Sequence, residues 1–272
     1  MAASAEDAIA RFRDACAADE RISAAFVGGS VARDEADRYS DLDLCVVVPD
    51  ASFDDVFTDR AAIVAKLGTP LFVEDWGDEA PEVFVMLADG TDVEINFVRE
   101  SRLTRIEVGP IRSLVDRRGL LDGLELPIRS PSREDLAAEL CQTLAWFWHD
   151  VGHFITAAGR SEIWWAAGQI EALRGYCVNL VREAQGVRKE TEPFWKIDAD
   201  ASTDALEELR STFVGPDLDA MIAAARELVA FFGARGRRAA LAYAVEYPEE
   251  LEGLLRRRLD DLVATRRSHP PG

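Results

Sequence analysis

The stretch that decides the fold runs from Phe26-Val27-Gly28-Gly29-Ser30, across ten intervening residues, to Asp41-Leu42-Asp43-Leu44. A strand ending in Gly28-Gly29-Ser30 lets the backbone approach a ligand closely. Its exposed N–H groups and the Ser30 hydroxyl can cradle phosphate oxygens. Asp41 and Asp43 stand at i and i+2, so on a strand they share one face while Leu42 and Leu44 point into a core. Taken alone, the glycines read as a tight turn and the aspartates as a solvated strand start; their spacing joins them into one site.

Two carboxylates on one face repel each other and raise each other's pKa unless a cation lies between them. A hard divalent metal answers that repulsion, and Mg²⁺ favours one or two carboxylates together with substrate phosphates and water. Two such ions would activate an attacking hydroxyl and stabilise a leaving pyrophosphate. A third acid comes from the strand Thr91-Asp92-Val93-Glu94-Ile95-Asn96-Phe97. Glu94, wedged between Val93 and Ile95, needs a partner to justify its position. It either completes the metal site or takes the proton from an acceptor hydroxyl. Asp92 is expected to face solvent at a hairpin. Arg33 stands close enough to the glycines to touch a phosphate, or else pairs with Asp34, Glu35 or Asp37 on the surface.

Outward from this core, residues 4–17 carry Ile9, Phe12 and Cys16 at helical spacing, and a strand is expected over 22–27. The run 42–48, β-branched at its end and stopped by Pro49, reads as a buried central strand. A helix is expected over 54–67 and strands over 71–73, 82–87 and 93–98, the last two joined by the hairpin signal Asp89-Gly90. The order α-β-β-α-β-β-β predicts an α/β (α+β) domain. Pro127-Ile-Arg-Ser-Pro-Ser132 then marks a boundary, placing one domain at 1–130 and an all-helical one at 131–272. Ser132 with Asp135 opens a helix in capping-box style to about residue 158. Further helices are expected over 162–185, 203–213, 217–232 and 248–267, with a disordered tail Ser-His-Pro-Pro-Gly272. No internal repeat or low-complexity tract is evident.

Gly-Gly-Ser, then Asp-Leu-Asp-Leu, then Val-Glu-Ile resembles the polymerase-β-type nucleotidyltransferase superfamily. Its signature is a hydrophobic residue, G-[GS], about nine to thirteen residues, then D-h-[DE]-h with h hydrophobic. The resemblance spans roughly residues 20–100 and implies a mixed sheet in the first domain. It also implies metal-dependent transfer of a nucleoside monophosphate from an NTP, with Asp41, Asp43 and Glu94 as the catalytic and metal-holding acids. Gly28, Gly29, Ser30 and Arg33 would then hold the phosphates of ATP, the expected co-substrate, beside two Mg²⁺ ions. A compact catalytic domain followed by a helical one is similar in layout to the small-molecule antibiotic nucleotidyltransferases that adenylylate aminoglycosides or lincosamides, antibiotic-resistance enzymes. In that layout the helical domain binds substrate and nucleotide, the site lies in the cleft between the domains, and a basic residue of the helical region, here Lys189, reaches the triphosphate. Rival readings are transfer to a protein or RNA acceptor, and a non-catalytic nucleotide-binding or toxin–antitoxin-type module.

Composition supports a small-molecule partner. The 272 residues are 48% hydrophobic, enough for one large or two modest cores, and 50 Asp+Glu against 31 Lys+Arg give a net charge of −19. That charge repels phosphate backbones and anionic membranes, so neither nucleic acid nor membrane is an expected partner, whereas a cationic acceptor suits it. Lysine occurs only at Lys66, Lys189 and Lys196, the usage of a GC-rich genome or of a salt-adapted surface. Four scattered cysteines form no C-x-x-C pair and are expected to be small buried hydrophobes. No secretory signal or long apolar run is present in the sequence, and a cytoplasmic location is expected.

Within the helical half, His149 and His153 fall at i and i+4 on one helical face, a spacing that can bind zinc. With no further Cys or His nearby in sequence, helix packing or a wall of the acceptor pocket is the expected role. Glu171 and Asp150 are candidates for an acceptor amine. Trp146, Trp148, Trp164 and Trp165 are expected in the core, with one or two able to stack on a sugar or base.

Overall fold

The structure, a computed structural model, describes residues 3–77, 80–127, 131–187 and 192–268. The chain divides into two compact units, Met1–Arg129 and Ser130–Gly272. Lys189 and the end of the Ser-His-Pro-Pro-Gly tail lie outside the described residues.

The first unit is built on a six-stranded sheet. Its strands are β1 (Ala24–Val27), β2 (Leu42–Val48), β3 (Pro70–Asp75), β4 (Glu82–Leu87), β5 (Asp92–Arg99) and β6 (Arg112–Asp116), in the spatial order β3-β4-β5-β2-β1-β6. β2 runs parallel to β5 and antiparallel to β1, while β4 runs antiparallel to both β3 and β5, so the sheet is mixed. β2 is central and buried nearly throughout, as an apolar β-branched run requires. β3 is an exposed edge, which tolerates the proline at its first position.

The helices α1 (Ala3–Ala18), α3 (Phe53–Thr58) and α4 (Arg60–Leu67) supply side chains to one core. Phe12, Val56 and Leu67 pack there with Leu42, Leu44, Val46, Val93 and Ile95 of the sheet. The alternate residues Cys45 and Val47 join Ala24 and Phe26 in a second cluster under Leu103, Leu121 and Leu126. Alternation along β2 therefore gives both faces of the sheet a core, and only one end of the second face is left for polar residues.

Three local features differ from the sequence reading. The helix expected over 54–67 is two helices, parted at Asp59, whose carboxylate accepts a 2.8 Å hydrogen bond from Arg21 instead of lying in a continuous helical surface. Strand β6 was not anticipated, because Arg112-Ser113-Leu114-Val115-Asp116 is short and half-exposed at the sheet edge and carries little apolar signal. The glycines read as a phosphate cradle, or taken alone as a tight turn, open a short helix, α2 (Gly29–Ala32), one residue beyond β1.

The second unit is helical: α5 (Arg133–Gly159), α6 (Ile163–Ala184), α7 (Ile197–Asp200), α8 (Thr203–Arg210), α9 (Leu218–Tyr243) and α10 (Glu249–Ser268). The anticipated capping box is present, with Ser132 accepting from Asp135 N and the Asp135 carboxylate accepting from Ser132 N. Helix α9 runs through Gly233 and Gly236 where the sequence suggested a stop. A Cβ at Gly236 would lie 3.0 Å from both Leu144 and Tyr247, so this glycine allows close packing and does not end the helix. Cys16, Cys45 and Cys177 are buried, but Cys141 is exposed on the polar face of α5, a correction to the expectation for all four. No helix among the described residues is long and apolar enough to cross a membrane.

Candidate active site

Strand register brings together acids that are far apart in sequence. Asp43 on β2 stands opposite Glu94 on β5, and Glu94 stands opposite Phe84 on β4, one alternate position from Glu82. Asp43, Glu94, Asn96 and Glu82 thus share the polar end of the second sheet face. They line a cavity of about 560 Å³ together with Gly29 and Arg105. Asp41 lies just before β2, exposed, and still acts electrostatically on Glu94. The loop ahead of it is ordered by Asp37, which accepts from Tyr39 N at 2.8 Å and from Ser40 Oγ at 3.2 Å.

The carboxyl of Glu94 is held above its ordinary range, first by burial, then by the negative charges of Glu82 and Asp41; a 2.9 Å hydrogen bond from Asn96 Nδ2 partly offsets this. Burial also pushes Glu82 up. A half-buried carboxyl whose charged neighbours are other carboxylates is in the electrostatic situation that a divalent cation relieves. The donor set is all oxygen, the chemistry a hard cation prefers.

The glycine loop is shaped around the same acids. Gly28 N donates to Asp43 O at 2.8 Å, tying the loop to β2. Gly29 has a φ of +56°, and a Cβ there would sit 1.6 Å from Asp43 Oδ2, so glycine is required on both counts. The Ser30 Oγ is buried with no hydrogen-bond partner among the described residues. The N–H groups that open α2 have no acceptor within that helix. An orphaned hydroxyl beside an acid cluster fits a phosphate-bearing ligand with its metal.

Other sequence candidates fall elsewhere. Arg33 Nε donates to Glu35 at 2.7 Å, the surface pairing already considered for it. Asp92 opens β5, half-buried. Glu171 pairs with Arg174 in the helical unit. Trp148 is fully buried, whereas Trp146, Trp164 and Trp165 are exposed, Trp164 at 90%. The sequence reading passed over Glu82, Asn96 and Arg105. The signal for the first two was present in the alternation Glu82-Val83-Phe84-Val85 and Glu94-Ile95-Asn96-Phe97, which sends Glu82 and Asn96 to the face of Glu94. Arg105 ends a short 3₁₀ helix, Glu100–Arg105, and left no such trace.

Residues 9–76 match the family model of the nucleotidyltransferase domain, a span that holds the glycine loop, Asp41 and Asp43. Over those residues the chain is similar to nucleotidyltransferase domains. No curated protein matches the sequence. Among solved structures, an aminoglycoside 6-adenyltransferase from Bacillus subtilis is 13% identical at a TM-score of 0.43, covering 97% of this chain and 99% of that one. A nucleotidyltransferase-like protein from Exiguobacterium sibiricum is 14% identical at a TM-score of 0.41, covering 93% and 87%.

Proposed function

We propose that the enzyme moves a nucleoside monophosphate, AMP from ATP, to a hydroxyl of a small cationic acceptor of the aminoglycoside or lincosamide kind, releasing pyrophosphate. The observation that carries this reading is the juxtaposition of Asp43 and Glu94 across β2 and β5, with Gly29 packed too closely against Asp43 for any side chain. Asp41, Asp43 and Glu94 would hold the divalent cations. Bound there, a pair of Mg²⁺ ions would supply activation of the attacking hydroxyl and charge neutralisation at the leaving pyrophosphate.

The chain's own groups have separate tasks. The amides of Gly29 and Ser30 and the Ser30 hydroxyl bind phosphate oxygens and orient the α-phosphate for in-line attack. Glu94, with its raised pKa, serves either as a ligand or as the acceptor of the hydroxyl proton. Lys189 is proposed to reach the triphosphate, and the helical unit to bind the acceptor. The net charge of −19 favours a cationic small molecule over an RNA end.

The test is pyrophosphate release from each of the four NTPs with Mg²⁺, against a panel of aminoglycosides, lincosamides and other hydroxylated amines. Acceptor-dependent release is expected with ATP. Asp43→Asn should lower it by roughly three orders of magnitude or more while leaving the melting transition cooperative, because several kcal/mol of charge stabilisation are removed. Transfer at the wild-type rate in Asp43→Asn would overturn the site, and silence across the panel with ATP still bound would overturn the acceptor class.

A further inference from the structure

Away from the sheet, the helical unit gathers a second set of metal-binding groups. His149, Asp150 and His153 of α5 offer donor atoms that all lie within 4.8 Å of one another. Their assembly follows from helix geometry: positions i and i+4 stack on one face, and the intervening Asp150 is close enough to lean between them. The two imidazole centroids are 4.3 Å apart. Asp150 Oδ1 is 2.9 Å from His149 Nδ1 and 3.4 Å from His153 Nδ1. Donors around a tetrahedral ion with bonds of 2.0–2.1 Å stand about 3.3 Å apart, so these spacings approach the edges of such a site.

A second observation concerns the carboxylate. Asp150 is 16% exposed at its side chain, and its other oxygen, Oδ2, accepts a 3.1 Å hydrogen bond from the Tyr176 hydroxyl of α6. An outer hydrogen bond of this kind fixes the orientation of a ligating carboxylate. The imidazoles are held laterally as well, His149 by Trp146 at 4.9 Å and His153 by Trp165 at 5.8 Å between ring centroids. Both imidazoles are nearly half exposed, leaving a fourth position open to water or an incoming ligand.

We propose that His149, Asp150 and His153 form a binding site for a borderline divalent transition metal, Zn²⁺ by preference, with Tyr176 orienting the carboxylate and one coordination position open. Two imidazoles with one carboxylate select against Mg²⁺, so this site is chemically separate from the all-oxygen cluster of the sheet.

The experiment is calorimetric titration of the chelator-stripped chain, carrying no added histidine tag, with Zn²⁺ in the presence of excess Mg²⁺. Wild type is expected to bind one more equivalent than the double variant His149→Ala/His153→Ala. The single variant His153→Gln, a mild change on an exposed helical face, should lose the same equivalent, with circular dichroism recording the helix content of each. Tyr176→Phe should keep the stoichiometry and weaken the affinity by about tenfold, the scale of losing an outer hydrogen bond to a ligand. Equal Zn²⁺ binding by wild type and both histidine variants would overturn the proposal, as would the absence of any bound Zn²⁺.

Discussion

Glu94 in the sheet and Glu252 in the helical unit are both withdrawn from solvent, yet their surroundings are opposite. Glu252, 2% exposed at its side chain, is held by Arg256 Nε at 2.6 Å and by Arg237, the latter also bound to Glu249. It is a carboxylate whose counter-charges come from its own fold. Glu94 faces Glu82 and Asp41 and accepts a hydrogen bond from the amide of Asn96. A buried acid that brings its own cations is there for architecture, and one surrounded by further acids is there for something that binds. Neither the burial nor the residue type separates the two cases; the sign of the neighbouring charge does.

That contrast can be broken from the structural side first. Glu252→Ala removes the partner shared by Arg237 and Arg256 and opens space between α9 and α10; both arginines reach solvent and Arg237 keeps Glu249, so a loss of roughly 1–3 kcal/mol is expected, read by urea denaturation. A change within experimental error would mean that the cluster is no more than a surface pairing. On the functional side, Gly29→Ala demands a left-handed residue and displaces the Asp43 carboxylate. Transfer should fall about a hundredfold, the scale of a misplacement near 1 Å, while the fold persists. If Gly29→Ala melts cooperatively and keeps full activity, Asp43 is not tuned by the glycine loop.

The smallest effect sharpens the comparison most directly. A carboxyl with a folded pKa above its unfolded value binds its proton more tightly when folded. The metal-free protein should therefore lose stability as pH rises from the ordinary carboxylate range through the folded value of Glu94. Glu94→Gln should remove that loss and raise the melting temperature at neutral pH. Mg²⁺ should stabilise wild type more than Glu94→Gln, because the ion favours the ionised carboxylate. Identical pH profiles for the two proteins would show that neither burial nor the acids around Glu94 raise its pKa appreciably.

Much of the fold was legible from local pattern. The spacing of Ile9, Phe12 and Cys16 gave a helix with those residues buried, and the 42–48 run gave the central strand. Asp89-Gly90 marked a hairpin between β4 and β5, and Ser132 with Asp135 marked the start of α5. Signals failed where packing overrides propensity. The helix expected over 217–232 runs on through Gly233 and Gly236, where neighbouring side chains need the space, and β6 is recruited by pairing with β1 despite a weak pattern of its own.

By itself the sequence determined which side chains share a face. The period of two along a strand places Asp43 opposite in sense to Leu42 and Leu44, and the period of the helix places His149 over His153. Which faces meet was decided only by the tertiary structure. The parallel pairing of β2 with β5 sets Asp43 beside Glu94, the antiparallel pairing of β4 brings in Glu82, and the packing of α6 on α5 delivers Tyr176 to Asp150. The physical reason is that periodicity is a property of a few consecutive residues, whereas strand neighbours and register are chosen by burying the apolar faces of segments distant along the chain.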